Sequence, residues 1–212
     1  MIFEFNGLLF DNDGVLVDSH LAAKAAWDQW SIEYGQNFDI DQHAGRRAQD
    51  LVLEMVGAEL FEEANNRINQ LEQDTAHETV ALGGAVDLLH SLTAGTWTVC
   101  TSANPNLGRA RLVAAGLPVP TELVTAADVE LGKPNPHPYL LGASRLGLST
   151  SECVVFEDAQ AGVLAGKAAG AGLVIGVSER AMVTTADIVI RDLSGITFEP
   201  GRLCIPDENR LR

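Results

Sequence analysis

The hydrophobic and polar positions divide the chain into three textures. Gly7–Phe10 is an apolar run that stops abruptly at acidic residues, the pattern of a buried strand delivering carboxylates at its C-terminal end. Over residues 19–79, apolar residues recur at helical spacing (Ala22, Ala26, Trp30; Leu51, Met55; Ile68, Leu71) and β-branched runs are missing, which predicts an all-helical insert. Trp27 and Trp30, three apart on the first helix of that insert, are expected in its core. After Gly83-Gly84, helix and strand alternate. Helices are predicted over 85–92, 106–115, 136–146 and 159–169, and Gly116, Gly147 and Gly170 suit the C-caps of the last three. Strands are predicted over 97–101, 122–125, 152–156, 173–177 and 187–190. Such alternation predicts an α/β fold, a doubly wound parallel sheet of Rossmann-like form with helices on both faces. The tail from Glu199 onward mixes polar residues with Pro and Gly and is expected to be poorly ordered.

Composition narrows the partners. The 212 residues are 46% hydrophobic, enough for one substantial domain with a smaller insert. The formal charge of −15 argues against nucleic acid or an anionic membrane as partner. The same field repels a phosphorylated substrate, so any phosphate site here must supply its own cations. Cys100, Cys153 and Cys204 show no metal spacing, and the first two sit in apolar runs where Cys acts as a small hydrophobe. No basic stretch precedes an apolar one at the N-terminus, and no segment approaches membrane-spanning length. Together these features predict a protein of the reducing cytoplasm.

Four segments at predicted strand ends carry the candidate chemistry, since open parallel sheets bind ligands beyond the carboxyl ends of their strands. Asp11-Asn12-Asp13-Gly14-Val15 sets two carboxylates one residue apart, which is costly without a cation or a shared proton. Thr101-Ser102-Ala103-Asn104 offers hydroxyls and N–H groups to a phosphate, or merely an N-cap. Gly132-Lys133-Pro134 holds a lysine in a loop, and Phe156-Glu157-Asp158 adds an acidic pair. Converging carboxylates call for a hard divalent cation with oxygen ligands.

The order Asp-x-Asp-Gly-Val, Ser after a strand, Gly-Lys-Pro, then Glu157-Asp158-Ala159-Gln160-Ala161-Gly162 resembles the haloacid dehalogenase superfamily over nearly the whole chain. Asp18-Ser19 resembles its sugar-phosphatase and phosphoglucomutase branch. The segment 43–47 and Ala115-Gly116-Leu117-Pro118, followed by Thr125-Ala126, look closest to sugar and polyol phosphatases of the 2-deoxyglucose-6-phosphatase type, related to β-phosphoglucomutase. The resemblance implies a catalytic core of residues 1–16 and 83–212 and a helical cap of residues 17–82 inserted after the first strand. It implies Asp11 as nucleophile and Asp13 as general acid and then base. Ser102 and Lys133 would balance charge on the phosphoryl group, with Ala103 and Asn104 near it. Mg²⁺ would be held by Asp11, the Asp13 carbonyl and Asp158, with Glu157 direct or through water. The expected partner is a small phosphorylated sugar or polyol, and the expected state is a monomer.

In the cap, Gly45 would permit a tight turn and Arg47 would meet the phosphate or sugar hydroxyls, with two solvated arginines as the plainer alternative. Asn12, where the family carries an apolar residue, and His137, where Asp is common, depart from the pattern. A mutase of the same family would carry His and Arg where this chain has Ala23 and Ala48, which weakens that rival. A silent binding module would have lost Asp11, Asp13 or Lys133, and all three are present.

Overall fold

The computed structural model describes residues 1–212. The chain opens with β1 (Ile2–Phe3) and β2 (Gly7–Phe10), then leaves the core through β3 (Val17–Asp18). Two helices follow, α1 (His20–Glu33) and α2 (Ala48–Thr75), before β4 (Val80–Ala81) returns the chain. Next come α3 (Ala85–Ser91), β5 (Trp97–Val99), α4 (Pro105–Ala114), α5 (His137–Arg145), β6 (Cys153–Glu157) and α6 (Gln160–Ala168). The last elements are β7 (Leu173–Val177), β8 (Ile188–Ile190), β9 (Thr197–Glu199) and β10 (Arg202–Cys204).

Five strands pair in parallel in the order β5-β2-β6-β7-β8, with Leu8 between Trp97 and Val154 and Phe10 between Val99 and Phe156. Alternate residues of a strand face opposite sides. Leu8, Phe10, Val154 and Phe156 therefore meet Leu88, Leu89 and Leu112 on one side. Leu9, Val155 and Val174 meet Tyr139, Ala143 and Val163 on the other. This is the doubly wound core that the alternation predicts.

The helical insert hangs on a two-stranded stem in which β3 pairs antiparallel with β4. Its own core gathers Ala26, Trp27, Trp30, Leu51, Val52 and Ile68, so both tryptophans pack as expected. Trp30 Nε1 donates to the Ala64 carbonyl at 2.8 Å, which satisfies the buried indole. Gly57, at φ 72°, breaks α2 and lets its two halves wrap the α1 face.

Two expectations fail. Residues 122–125 form no strand: Val124 makes a single bridge to Cys100, and pairing stops because Thr125 opens a tight turn capped by Asp128. The tail is ordered. β9 and β10 form a hairpin that pairs with β1, and the N-terminal ammonium donates to the Ile205 carbonyl and to Asp207. No helix is long and apolar enough to cross a membrane.

Candidate active site

The adjacency of β2 and β6 decides where the acidic residues meet. Asp11 follows β2 directly and its N–H donates to the Phe156 carbonyl at 2.9 Å, which sets it beside Glu157 and Asp158. Carboxylate oxygens of Asp11, Glu157 and Asp158 lie within 4.8 Å of one another, and all three residues are buried. Gly14 makes the approach possible. It takes φ 84°, and a Cβ there would stand 2.2 Å from Asp158 Oδ2.

Lys133 fills the floor of this cluster. Its side chain is fully buried, and Nζ lies 2.6 Å from both Asp11 Oδ1 and Glu157 Oε1. The Tyr139 hydroxyl, from α5, donates to the same Glu157 oxygen. Burial alone would lower the Lys133 pKa, but Asp11 and Glu157 hold it above the usual lysine range. Burial pushes the Asp11 carboxyl well above the carboxylate range; Lys133 opposes this, while Glu157 and Asp158 add to it. Burial and Glu157 likewise push Asp158 up to about 7. One buried ammonium, with only the exposed Arg180 guanidinium 3.7 Å from Asp158 beside it, thus faces three carboxylates. That surplus of buried oxygen donors fits a hard divalent cation, the group the acidic pairs call for.

Above the cluster a cavity of about 140 Å³ opens between the strand ends and the helical insert. Asp11, Asp13, Asp158, Ser102, Ala103 and Asn104 all line it, as does Gly45 from the insert. Asp13 turns away from the three-carboxylate cluster: its Oδ1 accepts from Ser19 Oγ at 2.6 Å and from Arg111 Nη1 at 3.0 Å. Ser102 Oγ donates to the Gly45 carbonyl at 2.7 Å, joining core to insert. Asn104 is the N-cap of α4: its side chain accepts from Leu107 N and donates to Asn69 Oδ1. The Ala103 N–H is engaged by Thr101 Oγ1. Burial pushes the Cys100 and Cys153 thiols up to about 12, so neither is a thiolate nucleophile.

Arg47 stands elsewhere. It is 4% exposed and off the cavity wall. Its guanidinium pairs with both Asp50 oxygens and donates to the carbonyls of Ala126, Val129 and Glu130. Its stem packs on Gly132, where a Cβ would stand 2.5 Å from Nε. The five donors of the guanidinium match this array of acceptors, and so Arg47 clasps the loop that carries Lys133 instead of reaching the substrate space. Arg46 is the member of the pair on the wall, and it is paired with Glu54.

Three site residues had no signal in the sequence. Arg111 and Glu72 are buried within helices, and Arg180 lies in the short helical turn after β7, whereas Ser19, already part of the Asp18-Ser19 resemblance, is the N-cap residue of α1. Arg180 stands 3.7 Å from Asp158 Oδ2 and 3.7 Å from Asp41 of the insert. Tyr139 could only have been read as a core aromatic.

A family model for haloacid dehalogenase-like hydrolases matches residues 5–170. Hexitol phosphatase A of Escherichia coli is 39% identical over 210 residues, covering 90% of this chain and 93% of that protein. Glycerol-1-phosphate phosphohydrolase 2 of Saccharomyces cerevisiae is 32% identical over 183 residues, covering 80% of this chain and 73% of that one. Among solved structures, a hydrolase from Pseudomonas syringae superposes with a TM-score of 0.78 at 26% identity, over 89% of this chain and 94% of that one. With strand-end carboxylates, buried lysine and helical insert in one chain, the protein belongs to the haloacid dehalogenase-like hydrolases.

Proposed function

We propose that this hydrolase is a Mg²⁺-dependent phosphomonoesterase that hydrolyses small sugar or polyol phosphates through an aspartyl phosphate on Asp11. The observation that carries the reading is the buried Asp11–Lys133–Glu157–Asp158 cluster at the floor of a cavity whose wall holds a separate carboxylate, Asp13. Asp11 Oδ2 attacks phosphorus as the bond to the leaving oxygen breaks, while Lys133 holds Oδ1 at 2.6 Å and fixes the carboxylate plane. Asp13 gives its proton to the leaving alkoxide, then takes one from the water that hydrolyses the aspartyl phosphate. Ser19 and Arg111 engage Asp13 Oδ1, which leaves Oδ2 for that proton. Asp11, Asp158 and the Asp13 carbonyl would hold Mg²⁺, with Glu157 direct or through water, and the bound ion supplies charge neutralisation at the phosphoryl oxygens.

The phosphatase names of the relatives support the substrate class. A mutase reading has less support, because Ala23 and Ala48 line the cavity and neither side chain can move a proton or hold a second phosphate. A monomer is the expected state, and the three free cysteines fit a reducing cytoplasm. The test is release of inorganic phosphate from hexitol, glycerol and hexose phosphates. Release with Mg²⁺, its loss in EDTA, its return on adding Mg²⁺ and poor support by Ca²⁺ are expected. No release from any of these esters with Mg²⁺ present would refute the reading.

A further inference from the structure

On the insert side of the cavity, α2 presents Asn69 and Glu72, three residues apart and so on one helix face. Glu72 is 7% exposed, yet only one of its oxygens is engaged: Oε1 accepts from Arg111 Nη2 at 3.2 Å, and Oε2 has no partner. Asn69 Oδ1 accepts from Asn104, and Asn69 Nδ2 has no partner. The face thus offers one acceptor and one donor side by side, which is what a hydroxyl group, both donor and acceptor, can satisfy. Trp27, Leu51 and Leu107 supply an apolar wall beside them, suited to the C–H face of a hydroxylated chain.

Charge sharpens the substrate class. Each arginine on the wall already faces a carboxylate: Arg46 faces Glu54, Arg180 faces Asp41 and Asp158, and Arg111 faces Asp13 and Glu72. A second anionic group on the substrate would meet Glu72 and Asp41 with no free cation to receive it. A neutral polyhydroxylated tail meets neither penalty.

Resting on the phosphatase reading above, we propose that Glu72 and Asn69 bind the hydroxyls of the substrate's tail and select neutral polyol monophosphates over phosphate esters bearing a second anion. Arg111 is the positioning residue. It fixes Glu72 with one nitrogen and Asp13 with the other, so the tail that engages Glu72 and the carboxylate that protonates the leaving oxygen share one anchor.

The test compares kcat/KM for sorbitol 6-phosphate and for 2-phosphoglycolate in wild type and Glu72→Gln, after circular dichroism and melting show both folded. The expected result is a fall of at least about tenfold on sorbitol 6-phosphate and a rise on 2-phosphoglycolate, whose carboxylate gains the freed Arg111 charge. Should Glu72→Gln not fold, Glu72→Asp keeps the charge and withdraws the oxygen. It should then lower sorbitol 6-phosphate turnover with no gain on 2-phosphoglycolate. A ratio of the two substrates within about twofold of wild type in the folded variant would show Glu72 to be only a structural bridge and overturn the proposal. A wild type active on p-nitrophenyl phosphate with that unchanged ratio sinks this inference alone, whereas a wild type that releases no phosphate from any ester sinks the phosphatase reading with it.

Discussion

The floor of the site and its roof are built in different ways. On the floor, Asp11 and Asp158 sit immediately after two neighbouring strands and Glu157 ends the second, so backbone pairing places them whatever the rest of the chain does. On the roof, Glu72 meets Arg111 and Asn69 meets Asn104 only because two helices of separate layers dock. The floor concentrates negative charge around one lysine and leaves its carboxyls hungry for a cation or a proton. The roof pairs nearly all its charges and leaves single hydrogen-bonding atoms free. One region is suited to chemistry and the other to selection, and substitutions should separate the two.

The largest effect is expected on the floor. Asp11→Asn keeps the shape but removes the proposed nucleophile, so turnover should fall by on the order of 10⁴-fold while circular dichroism stays unchanged. Because burial already disfavours the charged carboxylate, the metal-free variant should melt no lower than metal-free wild type. Activity within tenfold of wild type would break the distinction at its strongest point.

Arg47→Ala tests whether a residue of the insert can serve the floor. Removing it leaves Asp50 and three carbonyls without their donor, and breaking such a partly buried array costs about 3 kcal/mol of stability. The Lys133 loop then loses its clasp, so kcat/KM should fall to a similar degree on a hexose phosphate and on p-nitrophenyl phosphate. A loss confined to the hexose phosphate would return Arg47 to substrate recognition.

What could be read from the chain follows the same division. Asp11, Asp13 and Glu157-Asp158 announce themselves because each pair follows a short apolar run, and strand-end position translates into spatial position; Lys133 sits in a loop and was legible only through the Gly132-Lys133-Pro134 motif. Arg47 misled for a physical reason. An arginine in a glycine-containing loop looks the same whether its guanidinium meets a ligand or main-chain carbonyls, and burial decides which. Glu72 and Arg111 were invisible, since a charged residue in an amphipathic helix ordinarily faces water. In the tail, strands of two or three residues are too short for periodicity, although Pro200-Gly201 between Glu199 and Arg202 was a turn signal that fits the β9–β10 hairpin.

The titration of the floor sharpens the comparison without any mutation. In the folded, metal-free protein Asp158 is raised to about 7 from an ordinary value of 3.8. The native state therefore holds a proton that the unfolded chain has released. Between those values stability falls as pH rises, by on the order of 2–4 kcal/mol across the window. Urea midpoints in EDTA should be lower at pH 8 than at pH 5, and Mg²⁺ should restore more stability at pH 8. A flat profile would mean that the carboxylates already have sufficient counter-charge.

The smallest effect concerns the one residue of the floor whose polarity has no use there. Asn12 lies between Asp11 and Asp13, is fully buried, and neither its amide nitrogen nor its amide oxygen has a hydrogen-bond partner. Its backbone carbonyl, by contrast, accepts from the N–H groups of Leu16 and Val17, so the turn that aims Asp13 depends on the main chain and not on the amide. An orphaned buried amide costs about 1–3 kcal/mol relative to an apolar side chain of its shape. Asn12→Leu should therefore stabilise the protein by about 1 kcal/mol, a rise of roughly 2–4 °C in Tm for a chain of this size. Overpacking works against that gain, since leucine is slightly larger and cores resist added volume. Scanning calorimetry of Asn12→Leu beside Asn12→Val, which is smaller, separates the two terms. Stabilisation by either shows that the amide is unsatisfied. Destabilisation by both would show that Asn12 finds partners in solution and that the floor tolerates no idle polar group.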